Sequence, residues 1–255
     1  MELSASSKIS LLKVALEKVN GFSVEFGSQI QNVVNDHKVN GGHLEYAYIE
    51  HFHKEIVGLS KLFQYLLEDE VNQKYVFFPV RGSLEILLYL EHVLKLVKED
   101  DKKVLELLSR DMAQTGAAID AVIPPKEEHT IHKTLRAVDV VNEILKTTFD
   151  LNKIKSNTRV FPPVKDLCDK SSLSLKDLKG PSMYHVYVLY SESNHLRLSS
   201  QHTFTKDIEI MTCWALEYFI EIYIKFYQQL IDTNIFSSKH GDDLKIIKQS
   251  IGLNW

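Results

Sequence analysis

The sequence predicts an all-α protein, folded as a multi-helix bundle. Glycine and proline are scarce, with 10 and 6 in 255 residues, which disfavours a β-rich or loop-dominated chain and favours long helices. Apolar residues recur at steps of three and four over long stretches, which is the period of an amphipathic helix. The apolar fraction of 44% beside 25% charged residues is that of a globular protein with a substantial core.

Turn signals divide the first 148 residues into helices. The predicted helices cover 7–36, 43–70, 80–99, 100–122 and 126–148. Gly21 is expected to kink or divide the first helix, and a turn is expected over 37–42. Pro79 suits the first position of the third helix, which is almost wholly apolar. Asp100 suits the N-terminal cap of the fourth helix.

Composition then changes over 149–181, which contains three prolines and is predicted to be an irregular linker or lid. Only short helical patches are expected there, over 164–169 and 175–179. This segment would join an N-terminal helical part, 1–148, to a C-terminal one, 182–255, with both parts packed as one domain.

The C-terminal part is predicted to contain helices over 182–195 and 206–231, a polar joint over 196–205 and a short helix within 236–255. Thr205 suits the N-terminal cap of the long helix. That helix is expected to bury most of its surface and to leave a thin polar strip, formed by Glu217, Glu221, Lys225 and Gln228.

Charge and targeting signals predict a cytoplasmic protein. The net charge of −4 provides no global basic field, so any RNA or DNA site must be a local patch. Two cysteines without a framework spacing are typical of a reducing compartment. The N-terminus lacks the pattern of a signal peptide, and the most apolar stretch, 208–231, carries too many charges to span a membrane.

Arg81 and Glu85 lie one helical turn apart on the apolar third helix. Glu85 has apolar neighbours on nearly every side, so we expect it to lie inside the protein. An unpaired buried carboxylate is costly, which makes Arg81 its natural counter-ion. Two interpretations stay open: a buried ion pair that sets helix register, or a contribution to a functional site.

Tyr184, Val188, Ser191 and His195 recur at steps of four, three and four, so they share one face of the 182–195 helix. A histidine one turn from a hydroxyl has the pKa range of a general acid or base. The alternative is a core histidine that holds two helices together.

Arg197 and His202 lie in the polar joint with four residues between them. A guanidinium can hold a phosphodiester through two hydrogen bonds while an imidazole moves a proton. Five positions along a regular helix separate the two side chains, so the pair can work only across a helix end or an irregular turn, which the joint would supply.

Metal and cofactor sites are not predicted. Two histidine clusters could supply ligands: Glu128, His129 and His132, and Glu50, His51 and His53. A metal-dependent hydrolase built on His129 and His132 is one alternative, but the repeated Glu-x-x-His pattern of carboxylate bundles is missing. Glycine-rich phosphate loops, nucleophile elbows and Cys-x-x-Cys motifs are also missing from the sequence.

The motif residues resemble a known family. An apolar helix with Arg-x-x-x-Glu (Arg81, Glu85), then Tyr-Ser-x-x-x-His (Tyr190, Ser191, His195) and a long final helix, is similar to the HEPN-like helical proteins. The similarity is closest to the abortive-infection and uncharacterised bacterial defence branches. The resemblance implies an all-α bundle, usually dimeric, whose active members are metal-independent endoribonucleases.

The resemblance covers roughly 45–230 and also implies roles for the joint. Arg197 and His202 match the family's R-x4-6-H signature, so Arg197 would bind the scissile phosphate and His202 would assist attack by the ribose 2′-hydroxyl. This sequence departs from the family at Leu198, where active members commonly have a polar residue. His195, which matches the Ser-x-x-x-His branch, competes with His202 for the same role.

The expected function is therefore that of a HEPN-like, metal-independent endoribonuclease of a bacterial or phage-defence system, acting on RNA as a homodimer and without a cofactor. The alternative is a non-catalytic helical protein with a protein partner, such as an inhibitor or a ligand sensor. The predicted catalytic residues are Ser191, His195, Arg197 and His202, supported by Arg81, Tyr184 and Glu85.

Overall fold

The computed structural model describes residues 4–40, 45–69, 72–100, 160–175, 178–179, 181–194, 208–233 and 239–250, and all of 103–111 except 105 and 109. Its α-helices are α1 (Ala5–Asn40), α2 (Glu45–Glu68), α3 (Phe77–Glu99), α4 (Val164–Lys170), α5 (Pro181–Asn194), α6 (Ile208–Asp232) and α7 (Lys239–Ser250), and a 3-10 turn covers Gln73–Tyr75. The described part of 103–111 is also helical. The all-α prediction is confirmed.

α1 differs from the prediction in two respects. Gly21 does not divide the helix, and the helix extends to Asn40, so the turn expected from 37 onwards is wrong over 37–40. A single glycine costs a helix only about 1 kcal/mol relative to alanine. The buried neighbours Val19 and Phe22 offset that cost by packing into the core. Tertiary packing therefore keeps the helix intact at Gly21, its weakest position.

The 149–181 segment contains short elements in its described part. The helical patch expected near 164 is confirmed as α4. The patch expected at 175–179 is wrong, because Ser174–Leu175 and Leu178–Lys179 form two antiparallel strands with Leu175 opposite Leu178. A two-residue connection suits such a hairpin but is too short to complete a helical turn between these strands. Leu175 is fully buried and anchors the hairpin.

The chain divides into two compact units. The first comprises Met1–Gly41, Tyr46–Glu91 and Val164–Trp255, and the second comprises Gly42–Glu45 and His92–Pro163. In the first unit α6 contacts α1, α7 and the 3-10 turn. α6 is thus the central helix of that unit.

Aromatic side chains hold α6 against α1 and α2. Tyr227 of α6 lies edge-on to Phe22 and Phe26 of α1, with centroid distances of 5.2 and 5.1 Å. Phe63 of α2 meets Phe219 of α6 at 4.9 Å. Such pairs add about 0.5–1.5 kcal/mol each to the energy of burial. They place three helices in a defined register.

The polar strip expected on α6 is covered rather than exposed. Glu217 and Glu221 are each only 3% exposed. Glu217 forms an ion pair with Lys8 of α1, and Glu221 lies 3.6 Å from Lys225 one turn along the same helix. The carboxylates can be buried there because each has a lysine partner.

None of the helices in the described ranges is long and apolar enough to cross a membrane.

Candidate functional site

Arg81 and Glu85 of α3 meet Tyr187 of α5, and we call these three residues the α3–α5 cluster. The Tyr187 hydroxyl donates a hydrogen bond of 2.7 Å to Glu85 Oε1. Arg81 Nη2 donates to the Tyr187 hydroxyl at 3.2 Å and to Glu85 Oε1 at 3.4 Å. The guanidinium also lies 5.3 Å from the Tyr187 ring centroid. The three side chains therefore close a triangle that links the two helices.

Local packing explains why α3 and α5 meet here. Phe77 of α3 stacks on Tyr190 of α5 with centroids 5.3 Å apart. Tyr190 is almost fully buried and lies edge-on to Tyr218 of α6, at 6.3 Å. Tyr187 and Tyr190 are three residues apart and therefore lie on neighbouring positions of the same helix face. Packing of Tyr190 against Phe77 thus directs the Tyr187 ring towards α3. The apolar contact between Phe77 and Tyr190 thus positions Tyr187 for its hydrogen bonds with α3.

The expectation that Glu85 lies inside the protein is wrong. The side chains of Arg81 and Glu85 are 31% and 27% exposed, so the pair lies at the half-buried edge of α3. The core-facing side of the helix is taken by Leu84, Leu87 and Leu88. Water can therefore solvate part of both charges, and the pair needs no further buried partner.

The cluster keeps Arg81 charged and Tyr187 neutral. Partial burial opposes the charge of Arg81, but its contacts with Tyr187 and Glu85 outweigh this and raise its pKa. Burial, together with the hydrogen bond to Glu85, raises the pKa of Tyr187. At neutral pH Tyr187 is thus a hydrogen-bond donor. The arrangement can orient a guanidinium beside a phenol, and the phenol does not act as a general base.

Tyr184 and Ser191 flank Tyr187 on α5. Tyr184 stacks on Tyr187 with centroids 6.1 Å apart, so it borders the cluster. The Ser191 hydroxyl donates to the backbone carbonyl of Tyr187 at 2.7 Å, one turn back in the same helix. Ser191 is therefore engaged by its own helix, and Tyr184 supports the cluster through a ring contact.

The remaining predicted site residues, His195, Arg197 and His202, lie outside the described residues. His195 is the residue that follows Asn194, the last residue of α5, in the sequence. Tyr187 is the residue of the α3–α5 cluster that sequence reasoning missed. Tyr184, Tyr187 and Ser191 follow one another at steps of three and four residues. This spacing fits one face of a helix as well as the predicted series through Val188 does.

A second polar group lies in the core of the first unit. His53 Nδ1 of α2 and the Tyr227 hydroxyl of α6 share a hydrogen bond of 3.1 Å. Burial, with the nearby charge of Lys54, lowers the pKa of His53 from 6.5 to about 4. A Cβ on Gly27 of α1 would lie 2.6 Å from His53 Nε2. We call Gly27, His53 and Tyr227 the core cluster.

The proposed metal ligands of α2 are used in other contacts. Glu50 accepts a hydrogen bond of 2.6 Å from Lys54, and His53 is directed at Tyr227. Among the residues that the structure describes, no three His, Cys, Asp or Glu side chains are grouped closely enough to hold a metal ion. Glu128, His129 and His132 lie outside those residues.

A third polar group ties α3 to the segment after α4. The buried Glu91 carboxylate accepts hydrogen bonds from the Ser171 hydroxyl at 2.6 Å and from the Ser172 amide and hydroxyl at 2.8 and 2.7 Å. Burial raises the pKa of the adjacent Cys168 thiol to about 11. A thiol with so high a pKa is a poor nucleophile. We therefore interpret this group as a structural anchor.

Comparison of the chain with protein-family models, with curated proteins and with solved structures finds no match. The similarity to HEPN-like proteins therefore rests on the motif residues alone.

Proposed function

We propose that this chain is a HEPN-like helical protein that acts as a metal-independent endoribonuclease, with its chemistry in the segment that follows α5. One observation carries the proposal. Arg81 and Glu85, the pair that the family places on the helix facing the Ser-x-x-x-His helix, are hydrogen-bonded to Tyr187 of α5. α5 is the helix that carries Ser191 and precedes His195 in the sequence.

In this proposal the α3–α5 cluster has a positioning role. Two hydrogen bonds, from Arg81 to Tyr187 and from Tyr187 to Glu85, join α3 to α5 and resist rotation of α5 about its own axis. A fixed rotation of α5 would help to position the predicted catalytic side chains that follow it in the sequence. Such positioning matters because catalytic groups have to be held within about 0.5 Å of their productive geometry.

The reaction would be a transesterification, in which the ribose 2′-hydroxyl attacks the neighbouring phosphodiester. Arg197 would hold the phosphate, and the imidazole of His195 or His202 would accept the proton of the 2′-hydroxyl. The new bond joins the 2′-oxygen to phosphorus, and the bond to the 5′-oxygen breaks. The 5′-oxygen leaves with a proton, and the other product ends in a 2′,3′-cyclic phosphate.

The test is incubation of the purified protein with total RNA in a chelator. We expect cleavage products with 2′,3′-cyclic phosphate ends, and loss of cleavage in Arg197→Gln and in His195→Ala or His202→Ala. His185→Ala is the matched control, because His185 is an exposed histidine on α5 outside the predicted site. RNA that stays intact at high protein concentration would refute the proposal, as would equal losses in the His185 and site variants.

A non-catalytic interaction or ligand-sensing protein is the second candidate. It is favoured by the way Arg81, Glu85 and Tyr187 bond to one another, and by the raised pKa of Tyr187, which removes it as a base. This candidate predicts intact RNA with the wild-type protein under every condition in which the protein is folded. The chelator experiment therefore separates the two functions.

A further inference from the structure

The second compact unit contains a cavity of about 400 Å³. Its lining comes from the C-terminal part of α3, from the helical residues within 103–111 and from 160–163. All of these residues belong to the same unit. The volume falls in the range of about 300–1,000 Å³ that is typical of small-molecule pockets. It suits one small ligand rather than a polymer.

Three segments form the walls of the cavity. The C-terminal part of α3 contributes His92 and Leu96, one helical turn apart. The helical residues within 103–111 contribute the second wall of the cavity. The non-helical segment 160–163 contributes the third wall, where Phe161 lies edge-on to His92 with centroids 6.3 Å apart. Two consecutive prolines end this segment, and their fixed φ angles make the wall stiff.

The lining of this cavity combines apolar and charged side chains. Leu107 is only 6% exposed, and with Leu96, Val160 and Phe161 it provides an apolar surface. Lys103 and Arg110 are more exposed, with side chains 49% and 41% accessible to solvent. A lining that combines apolar side chains with charged ones suits a molecule with a polar head and an apolar body.

The charged groups favour an anionic head. The lining contains two permanent cations, Lys103 and Arg110, and one carboxylate, Glu106. Arg110 Nη2 donates to Glu106 at 2.9 Å, and Lys103 Nζ donates to Glu99 at 2.6 Å. Exposed ion pairs of this kind are weak because water screens them, so a ligand anion can compete for both cations. Most of the five guanidinium donors remain for a ligand.

We propose that this cavity is a binding site for a small organic anion, a phosphate ester or a carboxylate. Its charged oxygens would bind Arg110 and Lys103, and its aromatic or aliphatic body would pack on Leu107 and Phe161. None of the lining residues is among those assigned to RNA cleavage, and the proposal does not depend on that activity.

The probe for this site is 8-anilinonaphthalene-1-sulfonate, which combines an anionic head with an aromatic body and fluoresces when its rings are buried. We expect saturable binding to one site of the folded full-length protein. Displacement by adenosine monophosphate but not by octanoate would identify a phosphate ester as the preferred head group, and the reverse would identify a carboxylate. Displacement by neither, or an absence of saturable binding, would overturn the proposal.

Two substitutions should change the affinity for the probe in opposite directions. Arg110→Gln should weaken binding about 10-fold, because a charge-assisted hydrogen bond is lost. Glu106→Gln should tighten binding about 3-fold, because Arg110 is released from its carboxylate partner. Damage to the fold would weaken binding in both variants, so opposite shifts are specific to the proposed site.

The matched controls are Lys54→Gln and Glu50→Gln. Lys54 and Glu50 form an i,i+4 pair of 2.6 Å on α2, in the other compact unit. These changes alter the net charge in the same way as the site variants, and we expect no change in probe affinity. Weakening by both Arg110→Gln and Glu106→Gln, or shifts of equal size in the controls, would refute the site.

Discussion

The core cluster and the α3–α5 cluster use the same chemistry in different surroundings. Each joins a tyrosine hydroxyl to an ionisable side chain on a neighbouring helix, at 3.1 Å for Tyr227 and His53 and at 2.7 Å for Tyr187 and Glu85. Tyr227 is fully buried, whereas the Glu85 side chain is 27% exposed.

This difference in burial sets the charge of each cluster. His53 is kept neutral because burial lowers its pKa to about 4. Arg81 and Glu85 remain a formal ion pair, since water reaches both side chains. The core cluster therefore joins α2 to α6 through a hydrogen bond of a neutral histidine, whereas the α3–α5 cluster joins α3 to α5 through charged groups that water reaches.

The largest effect should come from protonation of His53. Because burial lowers its pKa from 6.5 to about 4, the folded protein binds fewer protons than the unfolded protein between these values. The stabilisation is complete above pH 6.5 and is lost as the pH falls towards 4. It amounts to up to about 3 kcal/mol. Urea unfolding of the wild type over this pH range measures it.

His53→Gln should flatten that pH dependence, whatever its effect on stability at neutral pH. His185→Gln is the control, because this histidine is exposed on α5 and its replacement should leave the slope unchanged. The same slope in the wild type and in His53→Gln would mean that His53 is not the buried neutral base described above.

The two tyrosines should respond unequally to the loss of their hydroxyl groups. Tyr227→Phe should lower the free energy of unfolding by about 2 kcal/mol, because it leaves a buried ring nitrogen of His53 without its partner. Tyr187→Phe should cost about 0.5 kcal/mol or less, since water can replace the hydroxyl at this half-exposed site. Urea unfolding at neutral pH compares them, and equal losses would remove the distinction between the clusters.

The smallest effect concerns two glycines of α1. Gly27→Ala should destabilise the protein by about 1 kcal/mol, because crowding of His53 at 2.6 Å outweighs the gain in helix propensity. Gly21→Ala should stabilise it by about 0.5–1 kcal/mol, since a Cβ there meets nothing within 4 Å. Thermal unfolding measures both variants.

The interpretation of Gly27 can be checked with a double substitution. In a His53→Ala background the crowded ring is gone, so Gly27→Ala should become stabilising like Gly21→Ala. If Gly27→Ala stabilises the wild type as well, His53 can move aside and the core cluster is less rigid than its hydrogen bond indicates.

The candidate site could be predicted in part. The i,i+4 spacing of Arg81 and Glu85 predicted their ion pair, because side chains one turn apart on a helix are neighbours. The periodic pattern also selected Tyr184 and Ser191, which lie on α5, the helix that contacts α3. It missed Tyr187, because steps of three and four can be traced through Val188 or through Tyr187 equally well. It also misjudged Glu85, since apolar sequence neighbours do not show where a helix edge meets water.

The residue pattern alone predicted α1, α2, α3, α5 and α6, because apolar periodicity acts over a few residues. The helix predicted over 126–148 lies outside the described residues. The continuity of α1 through Gly21 and the hairpin at Ser174–Lys179 depended on packing and strand pairing, which the local pattern does not describe. Only the packed structure decided that His53 meets Tyr227, 174 positions later, and that Arg81 meets Tyr187. Such contacts depend on how each helix is rotated about its axis, and long-range burial sets that rotation.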